Sequence, residues 1–484
     1  MKRAFLIVAL LFLTACAVGP DYHRPKVATP AAYKEAYGAW HQANPQDVFH
    51  HGKWWEAYHD SVLNRLEKQV DVSNQDLKAA EAAYRQASVM AEETRSAFFP
   101  MAGISGSVGK MHGTMPRPML PESLAVGGSW EPDVWGRIHR ATEASAARAQ
   151  ASAADLAGAR LSLQATLATD YFDLRAQDEL KRLLERIVET DKKSLQIVRY
   201  QYKTGTGSAD DVLMAETRLE NARAQAVKTG VRRARLVHAI AVLVGKPPAD
   251  FSLPPRAYSD YVPIIPAGLP SALLERRPDI AAAERMMAAT NAKIGVATAA
   301  WFPDITLSTS AGYTGMTLDK VLQAPMGFWA FGASFTETLF DAGRRSDRVI
   351  AAKEGFDRIV AMYRQAVLTA FQQVEDGLSS LHVLDQSCYE QNEAVQHAHH
   401  IEQLAQHQYE SGTGPYNKVL ITRVAWLKNK VALLKLRQSR LEASVGLIRA
   451  LGGGWDVQKG EKPPPYERRS YSRSRSSYSL SARP

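Results

Sequence analysis

Cysteine is scarce: the 484-residue chain has two, Cys16 and Cys388. Cys16 sits at the end of a leader, so Cys388 is left alone and no intrachain disulfide is expected. Long apolar runs are missing as well. The nearest approach is Ala4 to Leu13 behind Lys2 and Arg3, about ten residues where a spanning helix needs roughly 20. It reads as a signal-peptide core, with residues 1–15 removed. Strong charge of one sign is absent from the body. The net charge is +9, but residues 461–484 carry six basic residues against Glu461 and Glu467 (+4) and the leader carries +2, so 9 − 4 − 2 leaves +3. That balance suggests no nucleic-acid partner. Catalytic groupings are lacking too. The GTG triplets have no Lys-Ser/Thr and follow no strand, so they are not phosphate loops. No Ser-His-Asp or carboxylate pair stands out from ordinary helix-surface polarity, and no enzyme is expected. His397, His399, His400 and His407 lack an acidic or cysteine partner at ligand spacing, so no metal site is expected.

What is present begins with Leu13-Thr14-Ala15-Cys16, which resembles a bacterial lipobox. Cys16 would become the mature N-terminus and carry diacylglycerol and palmitate, each buried CH₂ adding about 0.8 kcal/mol of membrane affinity. No other cofactor is expected. Ala17 stands where an aspartate commonly retains lipoproteins at the inner membrane, so the chain should reach the outer membrane. At the other end, residues 456–484 are rich in Pro, Ser and Arg and read as a disordered basic tail.

The body is one unit written twice. NQDLKAAEAAYRQASVMAEETRSAFFP, ending at Pro100, aligns without gaps with RPDIAAAERMMAATNAKIGVATAAWFP, ending at Pro303. RYQYKTGTGSADDVL at 199–213 aligns with QHQYESGTGPYNKVL at 406–420. The first pair is offset by 203 positions and the second by 207. In each unit a helix (about 60–97, and 278–300) meets Phe99-Pro100 or Phe302-Pro303, where proline cannot continue it. Strands are predicted at about 101–111 and 123–133, and again at about 304–314 and 327–338. Ile305, Leu307, Thr309, Ala311 and Tyr313 alternate with small polar residues, as do Trp329, Phe331, Ala333 and Phe335. Period 2 with two unlike faces over about ten residues fits a transmembrane β-strand. Lipid supplies no hydrogen bonds, so such a sheet must close on itself. Four strands enclose no usable lumen; three chains supply twelve.

Proline is absent from Gly136 through Tyr202 and from Gly343 through Tyr409. About 65 helical residues extend roughly 100 Å. Leu156, Leu163, Leu167 and Leu174 mark a coiled-coil-like seam. At TGTG and SGTG each helix should reverse, with Gly205, Gly207, Gly412 and Gly414 supplying backbone conformations that other residues resist.

The lipobox, the two aromatic-Phe-Pro junctions, RPDIAAAE at 277–284 and the paired tips together resemble the outer-membrane factor family, the TolC-like channels, in its NodT-type lipoprotein branch. The resemblance covers about residues 17–455. It implies a fold that is mainly α with transmembrane β: a homotrimer whose twelve-stranded barrel continues into a periplasmic helical barrel. It divides the chain into a lipid-anchored equatorial segment (16–60), a first repeat (61–247), an equatorial connector (248–275) and a second repeat (276–455). The implied function is passive efflux of small molecules such as drugs, with protein secretion of type I as the alternative. The implied partners are a periplasmic adaptor, docking at the tips around Asp211, and an inner-membrane transporter of the resistance-nodulation-division or major-facilitator type. In several relatives an acid follows the second tip by one turn and forms a ring at the closed aperture. Here that position is Ile421, with Asn417 and Tyr409 nearby, and Asp210 and Asp211 are the acids that remain near a tip.

Overall fold

The computed structural model describes residues 17–35, 52–108, 122–265, 270–315 and 327–453. The leader, Cys16, most of both strand-connecting loops and the tail lie outside them. The first unit runs α1 (Ser61–Ser73), α2 (Gln75–Ser96), β1 (Met101–Ser107), β2 (Glu122–Trp130), α3 (Arg137–Lys203) and α4 (Ala209–Leu243). The second repeats it as α5 (Pro270–Arg276), α6 (Pro278–Ala299), β3 (Asp304–Gly315), β4 (Gly327–Thr336), α7 (Arg344–Glu410) and α8 (Tyr416–Ala450). α3 and α7 have 67 residues each, and α4 and α8 have 35 each. At about 1.5 Å per residue these are rods of about 100 and 50 Å. α3 packs along α4, α7 along α8, and α8 also lies against α3, which joins the two hairpins.

Several boundaries differ from the sequence expectation. The helix expected at about 60–97 is two helices, because Asn74 breaks it. Its side chain accepts from Leu77 N at 2.9 Å and donates to Leu243 O at 2.8 Å, capping α2 and the end of α4 at once. The connector holds α5, a turn of helix before Arg277. β2 stops at Trp130 rather than 133 because Pro132 has no amide to pair. β1 ends at Ser107 and β4 at Thr336.

All four strands pair antiparallel in the order β1-β2-β3-β4. The register sets Ile305 opposite Phe335, Leu307 opposite Ala333, Thr309 opposite Phe331 and Ala311 opposite Trp329. β2 extends the same face, with Val126 opposite both Ala311 and Ile104, and Leu124 opposite Tyr313. The other face is small and polar: Ser129 meets Ser308, Ser308 meets Gly332, and Ser107 and Ser123 hydroxyls lie 2.8 Å apart. Trp329, Phe331 and Phe335 are 82, 70 and 80% exposed. Among the described residues β1 and β4 each leave one edge unpaired, which a barrel closure would satisfy.

The main core lies around the middle of the bundle rather than under the sheet. Leu167, Tyr171 and Leu174 of α3, Ile240 of α4 and Leu441 and Ile448 of α8 meet the Trp54–Tyr58 turn and Leu63 and Val70 of α1. Leu253 of the connector is buried there, and Phe251, Val262 and Ile265 pack against it. This girdle is where the chain outside the rods gathers. Residues 17–35 do not all belong to it: they descend from the helix-to-strand junction to Tyr363 and Glu375.

Candidate functional site: a strand pair above two helix tips

The junctions convert rods into strands by aromatic bracing. Trp135 stacks on Phe302 with centroids 4.8 Å apart, and its Nε1 donates to Pro303 O at 2.9 Å. Trp130 Nε1 donates to Phe98 O at 2.9 Å, beside exposed Phe99 and Pro100. The Arg345 guanidinium lies 4.9 Å from the Trp301 ring. Indole donors thus satisfy carbonyls that proline and the helix ends leave open.

At the far end, both tips have one backbone. Gly205 (φ 74) and Gly412 (φ 73) are left-handed. Thr206 N and Gly207 N both donate to Gln201 O, at 2.9 and 3.1 Å; Thr413 N and Gly414 N both donate to Gln408 O, at 2.8 and 3.0 Å. Gly207 and Gly414, expected to need unusual conformations, do not have positive φ. Space there is tight, since a Cβ would stand 3.2 Å from Gln201 Cβ at the first and 3.0 Å from Gln408 Cβ at the second. The caps differ. Ser208 and Asp211 form a capping box in which Ser208 Oγ accepts from Asp211 N at 3.1 Å and Ser208 N donates to Asp211 Oδ2 at 3.2 Å, while Ser208 Oγ also donates to Asp211 Oδ2 at 2.7 Å. These donors hold the Asp211 carboxyl below its usual range. At the second tip Pro415 offers no side-chain cap, and Tyr416 packs on Tyr409 with centroids 4.7 Å apart.

Above the tips, charged groups join helices that the sequence keeps far apart. Arg218 on α4 pairs with Asp191 at 2.8 Å and donates to Ser194 Oγ at 2.7 Å, both on α3; Ser194 in turn donates to Asn417 of α8 at 3.4 Å. Ile421, one turn on, is 53% exposed. Higher up, Gln438 of α8 donates to Asp173 Oδ1 at 2.6 Å and to Glu442 Oε1 at 2.9 Å, while Arg232 of α4 donates to Asp173 Oδ2 at 3.1 Å. Burial and the neighbouring Asp173 carboxylate push Glu442 up to about 7. The sequence reading missed both networks, whose links between helices join residues far apart in the chain.

The family model described as outer membrane efflux protein matches residues 66–246 and 269–453. The chain belongs to that family. The probable efflux pump outer membrane protein TtgC of Pseudomonas putida is 30% identical over 467 residues, covering 94% of this chain and 96% of its own. The pyoverdine export outer membrane protein OpmQ of Pseudomonas aeruginosa is 29% identical over 95% of this chain and 98% of its own. Among solved structures, the outer-membrane channel OprN matches with a TM-score of 0.80 at 30% identity, over 91% of this chain and all of its own. The open state of the Neisseria gonorrhoeae channel MtrE matches at 0.78 and 26% identity, over 91% and 98%.

For an outer membrane efflux protein, the apolar sheet face is the lipid side and the rods are the periplasmic part. Among the described residues no helix is long and apolar enough to cross a membrane. Two histidines of α7 correct the sequence expectation: His407 Nδ1 lies 3.6 Å from Glu410 Oε2, and His399 has an acid as well. His399 meets its acid three residues on, with Nδ1 3.8 Å from Glu402 Oε2. That acid is committed to Arg423, whose Nε donates to Glu402 at 2.8 Å, and the His399 ring stacks on Trp426 with centroids 4.3 Å apart.

Proposed function

We propose that this chain is the outer-membrane channel of a tripartite efflux pump, a passive conduit for small organic molecules from periplasm to exterior. The observation that carries the reading is the continuity of two structures that suit two solvents. A four-stranded sheet with one apolar face and two unpaired edges leads directly into two helical hairpins with rods of 67 residues. Three copies give twelve strands, closing the edges, and twelve helices around one lumen. Cys16 carries the lipid, a periplasmic adaptor engages the tips around Gly205, Gly207, Asp211, Gly412 and Gly414, and a resistance-nodulation-division or major-facilitator transporter supplies the energy. Tyr409, Asn417 and Ile421 lie by the closed aperture, which seals mainly by packing and dewetting. The names of the relatives, which refer to efflux and pyoverdine export, support small molecules over a secreted protein.

A deletion strain decides between the two. Hypersensitivity to several unrelated drugs, rescued by the native gene, is the expected result. Unchanged susceptibility together with loss of one secreted protein would transfer the channel to type I secretion.

A further inference from the structure

The joint between the two units is completed inside the chain. α3 leaves β2 and α6 enters β3, two adjacent strands, so the helices run in opposite directions and pack along each other. Their contacts fix a register. A Cβ on Gly295 would stand 2.7 Å from Arg140 Cγ, Ala147 shares a buried cluster with Ala288, Arg285 Nη1 donates to Gln150 Oε1 at 3.2 Å, and Gly158 lies against Pro278. Each step down α3 is matched by a step back along α6, which sets Ala151 by Glu284 and Glu143 by Ala292. Over their whole lengths α7 repeats α3 at an offset of 207 positions and α2 repeats α6 at an offset of 203. Yet α7 leaves β4 and α2 enters β1, the outermost strands at opposite edges of the sheet. The two faces differ accordingly. Ala147, Ala151, Ala288 and Ala292 are buried, whereas Glu354, Arg358, Arg85 and Val89 at the repeated positions are exposed.

Carried to the outer helices by these offsets, the internal register sets Glu81 opposite Arg358, Arg85 opposite Glu354 and Val89 opposite Ile350. Two charge pairs of crossed sign and one apolar pair thus stand where the internal joint is mostly alanine. Nearer the sheet the same rule sets Glu92 opposite Asp347, a like pair that ends the ladder. Within one copy Arg85 reaches Glu81 only at 3.7 Å, and Arg358 Nη1 lies 3.5 Å from Met362 Sδ. We propose that α2 of one copy docks along α7 of a second copy of this chain, and that these three pairs select that partner and set the register of the joint. This rests on the reading of the chain as one of several copies closing a barrel, since pairing of β4 with the next β1 is what brings α7 beside α2. The crossed signs penalise misalignment. A slip of one turn sets Arg85 against Arg358 in one direction and Glu81 against Glu354 in the other, and like charges so placed oppose docking.

The test uses the full chain in its membrane, Cys388 being buried. Val89→Cys combined with Ile350→Cys should cross-link copies into covalent dimers and trimers on mild oxidation, and either substitution alone should not. Val89→Cys combined with Ala361→Cys, about 16 Å farther along α7, should stay free. Arg85→Glu and Glu354→Arg should each lower recovery of the native trimer roughly fivefold by setting like charges together at every joint, and the double reversal should return it to within about twofold of native. A trimer in which Val89→Cys with Ile350→Cys stays uncross-linked would overturn the proposal and leave the channel reading standing. A double reversal recovered no better than either single one would overturn it as well. A native chain that is monomeric in the membrane would remove the proposal and the closed-barrel reading together.

Discussion

The two units close the same joint with different chemistry. Where each return helix ends, its last carbonyl accepts from a side chain at the break before the entry helix of its own unit. In the first unit Asn74 Nδ2 donates to Leu243 O at 2.8 Å; in the second Arg277 Nη1 donates to Ala450 O at 3.0 Å. Asn74 and Arg277 are 203 positions apart, and Leu243 and Ala450 are 207 apart, the offsets of the two alignments. Beside each joint a left-handed glycine, Gly245 (φ 69) or Gly452 (φ 91), lies against the backbone oxygen of Ser73 or Arg276. Duplication has kept the backbone path and the position of a donor while the donor itself changed. The exchange alters what else the donor can do. Asn74 also caps α2 through Leu77 N, whereas the Arg277 guanidinium reaches Asp279 and Gln373 as well.

That difference predicts unequal damage. The largest effect should come from Gly452→Val, which combines a left-handed φ with overlap on Arg276 O and should cost more than about 3 kcal/mol. Little folded protein should be recovered, and the same should hold for Gly245→Val. Next, Arg277→Ala removes a charged donor from three partners and leaves the Ala450 carbonyl open, a loss of about 3 kcal/mol. Asn74→Ala removes one cap and one donor, about 1–2 kcal/mol. Thermal unfolding of the purified channel orders the three. Equal losses at Asn74 and Arg277 would mean that the girdle, not the joint chemistry, holds these ends.

A middle-sized effect depends on pH, and the α3–α8 contact should carry a separable part of it. Glu442 is lifted from its ordinary value of 4.5 to about 7 by burial and by Asp173. The folded state therefore binds its proton more tightly than the unfolded chain does. Its contribution is complete below about 4.5, declines as pH rises, and is gone once pH passes through about 7. Asp170, lifted to about 6 by burial and by Asp173, adds a change of the same sign. The unfolding midpoint should fall between about pH 5 and about pH 8, and Glu442→Gln should flatten part of that slope. A slope unchanged in Glu442→Gln would place the titration elsewhere.

Much of this architecture was legible in the sequence because it is periodic. The spans from Gly136 to Tyr202 and from Gly343 to Tyr409, bounded by glycines and free of proline, match α3 and α7 to within a residue, and alternation sorted Ile305, Leu307, Trp329 and Phe335 onto one face, which the register then placed side by side. The misses have physical causes. Ser-Asn-Gln-Asp at 73–76 carries a capping signal, but apolar spacing continues across it and hid the break. Asp173 and Gln438 lie 265 positions apart, and no local pattern announces a hydrogen bond between two polar residues on separate amphipathic rods. The glycines of each tip look alike as letters. Backbone geometry alone separates Gly205 and Gly412, which need a left-handed φ, from Gly207 and Gly414, where space is tight.

The smallest predicted effect compares the two tips, which share a backbone while the first has a side-chain cap and the second does not. Ser208 Oγ accepts from Asp211 N at 3.1 Å, so Ser208→Ala should loosen the first turn of α4 by about 1 kcal/mol. Amide exchange at Asp211 should then quicken roughly fivefold. Pro415→Ala removes no side-chain cap from α8, so exchange at Lys418 should change little. Because Asp211 is held below the usual carboxylate range by Ser208, the box keeps its contribution at ordinary pH and loses it only as pH falls through that depressed value. Acidification should therefore lower the protection of the first-tip amides, taken relative to their intrinsic exchange rates at each pH, and spare the second. If both tips respond alike, the capping box does not set the rigidity of the first, and the aromatic contact of Tyr409 with Tyr416 must stiffen the second by other means than a cap.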